Sequence, residues 1–170
     1  MRQGQAIPAS VGMACEKDDV LVTNADCVLD IAVNNIAGCR LLASSECAVM
    51  NTDLNAMHLK INNGNAVLNL KKLPAGSAFR LETPTAIAGV RGTQFWGRVD
   101  LKEAANPVTT FAVREGAVEI FSKSAGKNFT LNQGEALDLS KDASVLPVIR
   151  PALAEELAAM AQADAIKTSA

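Results

Sequence analysis

The sequence predicts a mainly β domain of short strands, closed by one C-terminal α-helix. Two observations carry this. Between residues 18 and 70, short apolar runs alternate with Asn, Asp, Gly and Ser breaks at a spacing of roughly 8–12 residues, the signature of a sandwich, a barrel or a solenoid. Helical spacing is confined to the stretch after Pro147, where Leu153, Leu157 and Met160 form a stripe.

In chain order, Val20-Leu21-Val22, Val28-Leu29-Asp30-Ile31, Arg40-Leu41-Leu42, Ala48-Val49-Met50, Leu59-Lys60-Ile61 and Val67-Leu68-Asn69-Leu70 read as strands. Thr23-Asn24-Ala25-Asp26, Asn34-Asn35, Ser44-Ser45 and Asn62-Asn63-Gly64 lie between them and are rich in turn-forming residues. Ile61 to Gly64, Val113 to Gly116 and Leu131 to Gly134 each place an apolar residue three before a glycine, and a fresh apolar alternation follows. This reads as strand, glycine turn, strand, without a fixed repeat period. Residues 101–109, broken by Pro107, read as a loop. Pro151 suits a first helical turn, where its missing N–H costs nothing. Glu155 and Glu156 complement the dipole there. The predicted helix runs from about 151 to 165 and packs by its stripe onto the β body, with Lys167 to Ala170 expected to fray. Residues 1–147 are thus expected to form one all-β domain, with 148–170 as a helix and tail packed on it.

The totals narrow the function. The chain has 170 residues, of which 49% are apolar, enough for a real core. The net charge of −2 offers no basic excess for nucleic acid or an anionic membrane. With five Phe, one Trp and no Tyr, base stacking and aromatic sugar platforms are poorly supported. No apolar run approaches the ~20 residues needed to span a bilayer. Met1 to Ser10 lacks the charged-then-apolar layout of a secretory signal, so the chain reads either as cytoplasmic or as a mature exported chain with an added methionine.

Cys15, Cys27, Cys39 and Cys47 are spaced by 12, 12 and 8. Disulfides, buried free thiols and, least of all, a metal site are the three readings of this set. In an oxidising compartment, adjacency in the chain favours Cys15–Cys27 with Cys39–Cys47. His58 is the single histidine and sits in no nucleophile or metal-ligand pattern. The carboxylate pairs Asp18-Asp19 and Glu155-Glu156 read as solvated charges. Gly89-x-x-Gly92 lacks the lysine of a phosphate-cradling loop. No catalytic residue, metal or cofactor is therefore expected.

Residues 82–96 are the most distinctive segment. Pro84 removes a donor, Gly89 and Gly92 allow unusual backbone angles, and Arg91-Gly92-Thr93 leads into Phe95-Trp96. An arginine in so apolar a run calls for a fixed acceptor, and Glu115 or Glu135, in the later glycine turns, is the expected partner. The functional alternative makes Arg91 an anchor for an acidic ligand or a partner strand. Trp96 reads as core or rim, with interface anchor as its alternative. Gly92, Gly116 and Gly134 read as turn glycines, and Thr93, Glu115 and Glu135 as structural companions of those turns.

Three motifs in order carry a family resemblance. They are Thr83-Pro84-Thr85-Ala86 with Gly89-Val90-Arg91-Gly92-Thr93-Gln94-Phe95, then Phe111 to Glu119, then Leu131-Asn132-Gln133-Gly134-Glu135-Ala136. With a less sharp match at Asp18 to Leu42, the chain resembles the FecR domain family over about residues 4–140. The resemblance implies an elongated, solenoid- or sandwich-like β domain outside the cytoplasm. Its best-known members belong to membrane-spanning anti-sigma regulators that sense outer-membrane transporters loaded with iron chelates. No membrane helix or cytoplasmic anti-sigma segment is read in this chain, so the stand-alone secreted version is the closer analogue. The expected function is a non-catalytic periplasmic or secreted module that binds a protein or a cell-envelope polymer, with a strand edge as its docking surface. The alternatives are the sensor fragment of a transmembrane anti-sigma regulator and a carbohydrate-binding β scaffold.

Overall fold

The computed structural model describes residues 1–33, 36–71, 73–101 and 105–166. The break at Asn34-Asn35, the middle of the 101–109 loop and the tail after Ile166 lie outside these residues. Among the described residues thirteen strands form one sheet. They are β1 (Val20–Val22), β2 (Leu29–Val33), β3 (Ala37–Leu41), β4 (Glu46–Asn51), β5 (Ala56–Leu70), β6 (Ala78–Glu82), β7 (Ala86–Val90), β8 (Gln94–Asp100), β9 (Val108–Glu115), β10 (Ala117–Ser122), β11 (Lys127–Asn132), β12 (Glu135–Ser140) and β13 (Ile149–Pro151).

The long strand β5 organises the fold. Its first half pairs with β4 and, in parallel, with β6, and the sheet continues through β7 and β10 to β11. Its second half pairs with β3 and β8, and the sheet continues through β9 and β12 to β13. The two halves curl toward each other, so the sheet nearly closes in the manner of a barrel. This corrects the expected elongated solenoid- or sandwich-like shape. The expected turn at Asn62-Asn63-Gly64 is instead part of uninterrupted strand. Gly64 has φ of +86°, and a Cβ there would lie 2.6 Å from Ser45 Cα. The glycine thus gives β5 a bend against the β3–β4 connection, where a turn was expected.

Alternation along the strands fills the interior with Leu41, Leu59, Ile61, Leu68, Leu81, Phe95, Phe111, Ile120, Leu131, Leu137 and Leu139, all fully buried. A second, smaller cluster lies on the outer face of the second half. Val67, Trp96, Ala112 and Ala136 of the sheet meet Met160, Ala163 and Ile166 there.

The C-terminal helix α1 (Ala154–Met160) continues as a 3-10 turn over Ala161–Ala165. It begins later than expected because residues 149–151 pair with β12, so Pro151 ends an edge strand. Of the predicted stripe, only Met160 lies on the buried face. Glu156, Met160 and Ala163 point inward, whereas Leu153 and Leu157 stay 49% and 41% exposed. The cause is ionic: Arg150 Nη2 donates to Glu156 Oε1 at 2.6 Å and fixes the helix's rotation.

Candidate functional site

Two of the distinctive motifs meet at one corner. Gly92, with φ of +103°, turns the chain from β7 toward β8. Thr93, buried, donates its Oγ1 hydroxyl to Ala117 O at 2.9 Å. Gly116, with φ of +84°, passes so close that a Cβ would stand 2.9 Å from Gly92 O and 3.1 Å from Thr93 Oγ1. The Arg91-Gly92-Thr93 and Glu115-Gly116-Ala117 segments are therefore two halves of one backbone junction. Gly134, φ +81°, turns the β11–β12 hairpin, and Glu135 Oε2 accepts from Asn132 N at 2.7 Å. Gly89 differs from these: it lies in β7 without a positive φ.

At the opposite ends of β7 and β9 from this corner lies a buried hydroxyl ladder that sequence reading missed. Thr85 Oγ1 donates to Thr109 Oγ1 at 2.6 Å, and Thr109 Oγ1 donates to Thr83 Oγ1 at 3.0 Å. Thr83 Oγ1 also accepts from Ala86 N at 3.1 Å. All three threonines are buried, so the Thr-Pro-Thr motif stitches the start of β7 to β9. Two threonines flanking a proline before an apolar strand were the available signal.

Arg91 does not make the expected ion pair. It is exposed, and among the described residues it has no carboxylate partner. Along β7, Ala86, Ala88 and Val90 face the core, which leaves residue 91 outside. Glu115 is exposed at the end of β9, and Glu135 is engaged by Asn132. Trp96 is 5% exposed and lies beneath α1, with its indole N–H unpartnered. It is thus a core residue of the second cluster.

All four cysteines are free thiols in this structure, with neither Cys15–Cys27 nor Cys39–Cys47 bonded, and Cys39 and Cys47 fit the buried-thiol reading. Cys39 faces Leu68 across β3–β5, whereas Cys47 faces Ile61 across β4–β5, so the two occupy different arms of the bent strand. Burial pushes the Cys39 thiol well up and the Cys47 thiol up to about 12. His58 is a satisfied, part-buried histidine. Its Nε2 lies 3.0 Å from Glu82 Oε2, while Lys123 Nζ lies 2.8 Å from Glu82 Oε1. Burial works against the Glu82 charge, but the Lys123 hydrogen bond leads the effects that hold it below the usual carboxylate range. Beside the N-terminus, a depression of about 320 Å³ is lined by Arg2, Glu16 and Asp19, whose charges bind one another. The hydrogen bond from Arg2 holds the Asp19 carboxyl down at about 2. Among the described residues no cluster of His, Cys, Asp and Glu could hold a metal. None of their helices is long and apolar enough to cross a membrane.

No curated protein matches this chain. Its fold is similar to two crystal structures of a putative anti-sigma factor from Parabacteroides distasonis, each with a TM-score of 0.69 and 16% identity over 85% of this chain. The match spans 64% and 65% of those longer chains. Residues 19–119, more than half of the sequence and the part that contains the Gly92–Gly116 junction, match the family described as FecR protein: the chain belongs to the FecR family.

Proposed function

We propose that this chain is the extracytoplasmic sensing part of an anti-sigma regulator, binding a partner protein and carrying no catalytic role. The observation that supports it most is the likeness in fold to putative anti-sigma factors, joined to membership of the FecR family. This reading is preferred to the stand-alone binding module because the solved chains of similar fold are described as putative anti-sigma factors. It also accounts for the absence of a catalytic set from the sequence reading. A carbohydrate scaffold draws little support, since Trp96, the largest aromatic, is buried beneath α1.

The test is transcriptional. In the source bacterium, in-frame removal of codons 19–119 should change expression of a group of genes sharing one sigma-factor promoter, read by RNA sequencing. Restoring the intact gene should restore the pattern. An unchanged transcriptome under every tested growth condition sinks the regulatory reading.

A further inference from the structure

The two halves of the sheet have different outer faces. In the second half, α1 packs on β8, β9 and β5. In the first half, strands β5, β6, β7, β10 and β11 present outward residues to solvent. Pairing aligns these in rows. One row reads His58, Arg80, Gly89, Glu119, Thr130, and the next reads Lys60, Glu82, Ile87, Phe121, Asn128.

Gly89 at the centre has no structural reason to be glycine. Its φ is not positive, and an added Cβ would meet only Glu119 O at 3.8 Å, an ordinary contact. Glycine weakens a strand, and an interior strand glycine is used where another backbone or a ligand approaches closely. The charges around it are unevenly satisfied. Glu82 is bound by His58 and Lys123. Among the described residues Arg80 and Arg91 have no ion-pair partner, and Lys60 and Lys123 both act on Glu82. The described carboxylates without an ion pair here are Glu119 and, at the Arg91 corner, Glu115, so the cations Lys60, Arg80, Arg91 and Lys123 outnumber the carboxylates Glu82, Glu115 and Glu119. A chain with net charge −2 thus places a small surplus of cations beside a glycine gap on an exposed β face.

We infer that this face docks an extended acidic segment of a protein partner. The segment's backbone lies over Gly89, its carboxylates meet Arg80, Arg91 and Lys60, and Phe121 and Ile87 supply apolar contact. The inference rests on the sensing role only for the partner being a protein.

The full chain is titrated with two fluorescein-labelled peptides, (Glu-Thr)5 and (Lys-Thr)5, at low salt, and binding is followed by anisotropy and by amide chemical shifts. The acidic peptide should bind at least tenfold tighter, and shifts should concentrate on β6, β7 and β10. Arg80→Glu with Arg91→Glu should abolish the preference. Gly89→Phe, whose side chain points to solvent, should block binding at a melting temperature no lower than wild type. If Gly89→Phe fails to fold, the charge-reversed pair decides. Equal binding of the two peptides, no binding, shifts on another face, or full binding by the charge-reversed protein overturns the inference. Because the transcriptional test does not depend on these peptides, failure here leaves the regulatory role standing, and the reverse also holds.

Discussion

Arg91 stands outside a strand whose inward positions are taken by Ala86, Ala88 and Val90. With no ion pair to lose, Arg91→Met should keep stability within about 0.5 kcal/mol of wild type, the usual range for a surface change. A fall of several degrees in thermal melting would contradict that exposure. The adjacent glycine junction should behave oppositely. Gly116→Ala must hold φ +84° and place a Cβ against Gly92 O, so a loss of about 1–3 kcal/mol in chemical denaturation is expected. A neutral result would mean that the junction relaxes freely. The thiols give a third readout at this scale. Exposed Cys27 should react with a disulfide reagent within the mixing phase, whereas Cys39 and Cys47 should react only on unfolding. Rapid labelling of all four would show that the core is open. The turn glycines of this site were legible because Gly92, Gly116 and Gly134 sit between apolar alternations. The environment of Arg91 was not. It depends on which face of β7 residue 91 continues, and an apolar neighbourhood in sequence is shared between two faces in a strand.

At the scale of elements, α1 is latched at both ends. At its start, Glu156 accepts from Leu153 N at 2.7 Å and from Arg150, which also binds Asp138 at 2.8 Å. At its end, the sheet supplies donors to orphan carbonyls: Arg114 to Met160 O, Asn69 to Ala163 O and Arg40 to Ala165 O. Glu156 is 4% exposed, while the Arg150 side chain is 28% exposed. Glu156→Ala should therefore cost about 1–3 kcal/mol, the penalty for stranding a partly buried partner. Because Trp96 lies under the helix, its emission should shift to longer wavelength in that variant, ahead of global unfolding in urea. An emission maximum identical to wild type through the same range would mean that the latch does not depend on Glu156. The same element shows the limits of pattern reading. The strands were legible from alternation, and the existence of the helix from Leu153, Leu157 and Met160. Its buried face was not, because one ion pair between Arg150 and Glu156, six residues apart, outweighed the apolar stripe. Likewise, the turn residues Asn62-Asn63-Gly64 were overridden by pairing on both sides of β5, with Gly64 retained for its bend.

Across the whole molecule, stability is bounded by opposite titrations. Asp19 is held at about 2 by Arg2, and Asp138 and Glu82 are held below their usual range although burial opposes it, by Arg150 with Thr110 and by Lys123. A carboxyl whose folded pKa is depressed adds stability above its unfolded value near ~4 and loses it as pH falls through the folded value. The three sites tie separate parts: Arg2–Asp19 the N-terminal segment, Lys123–Glu82 the β10–β11 turn to β6, and Arg150–Asp138 the β12–β13 edge. The alkaline side has the reverse sign. Burial raises Cys39 and Cys47, so the folded state retains protons that the unfolded chain releases above ~8.5. Each buried thiol then loses about 2 kcal/mol of stability by pH ~10. The urea midpoint should accordingly stay level between pH ~5 and ~8, fall toward pH 2, and fall again toward pH 10. Replacing both buried cysteines, Cys39→Ala with Cys47→Ala, should lower the plateau through lost packing yet flatten the alkaline limb, while the acid limb keeps its slope. If the double variant instead retains the wild-type alkaline fall, the thiols are not its origin, and the lysine ion pair at Glu82 becomes the group to test.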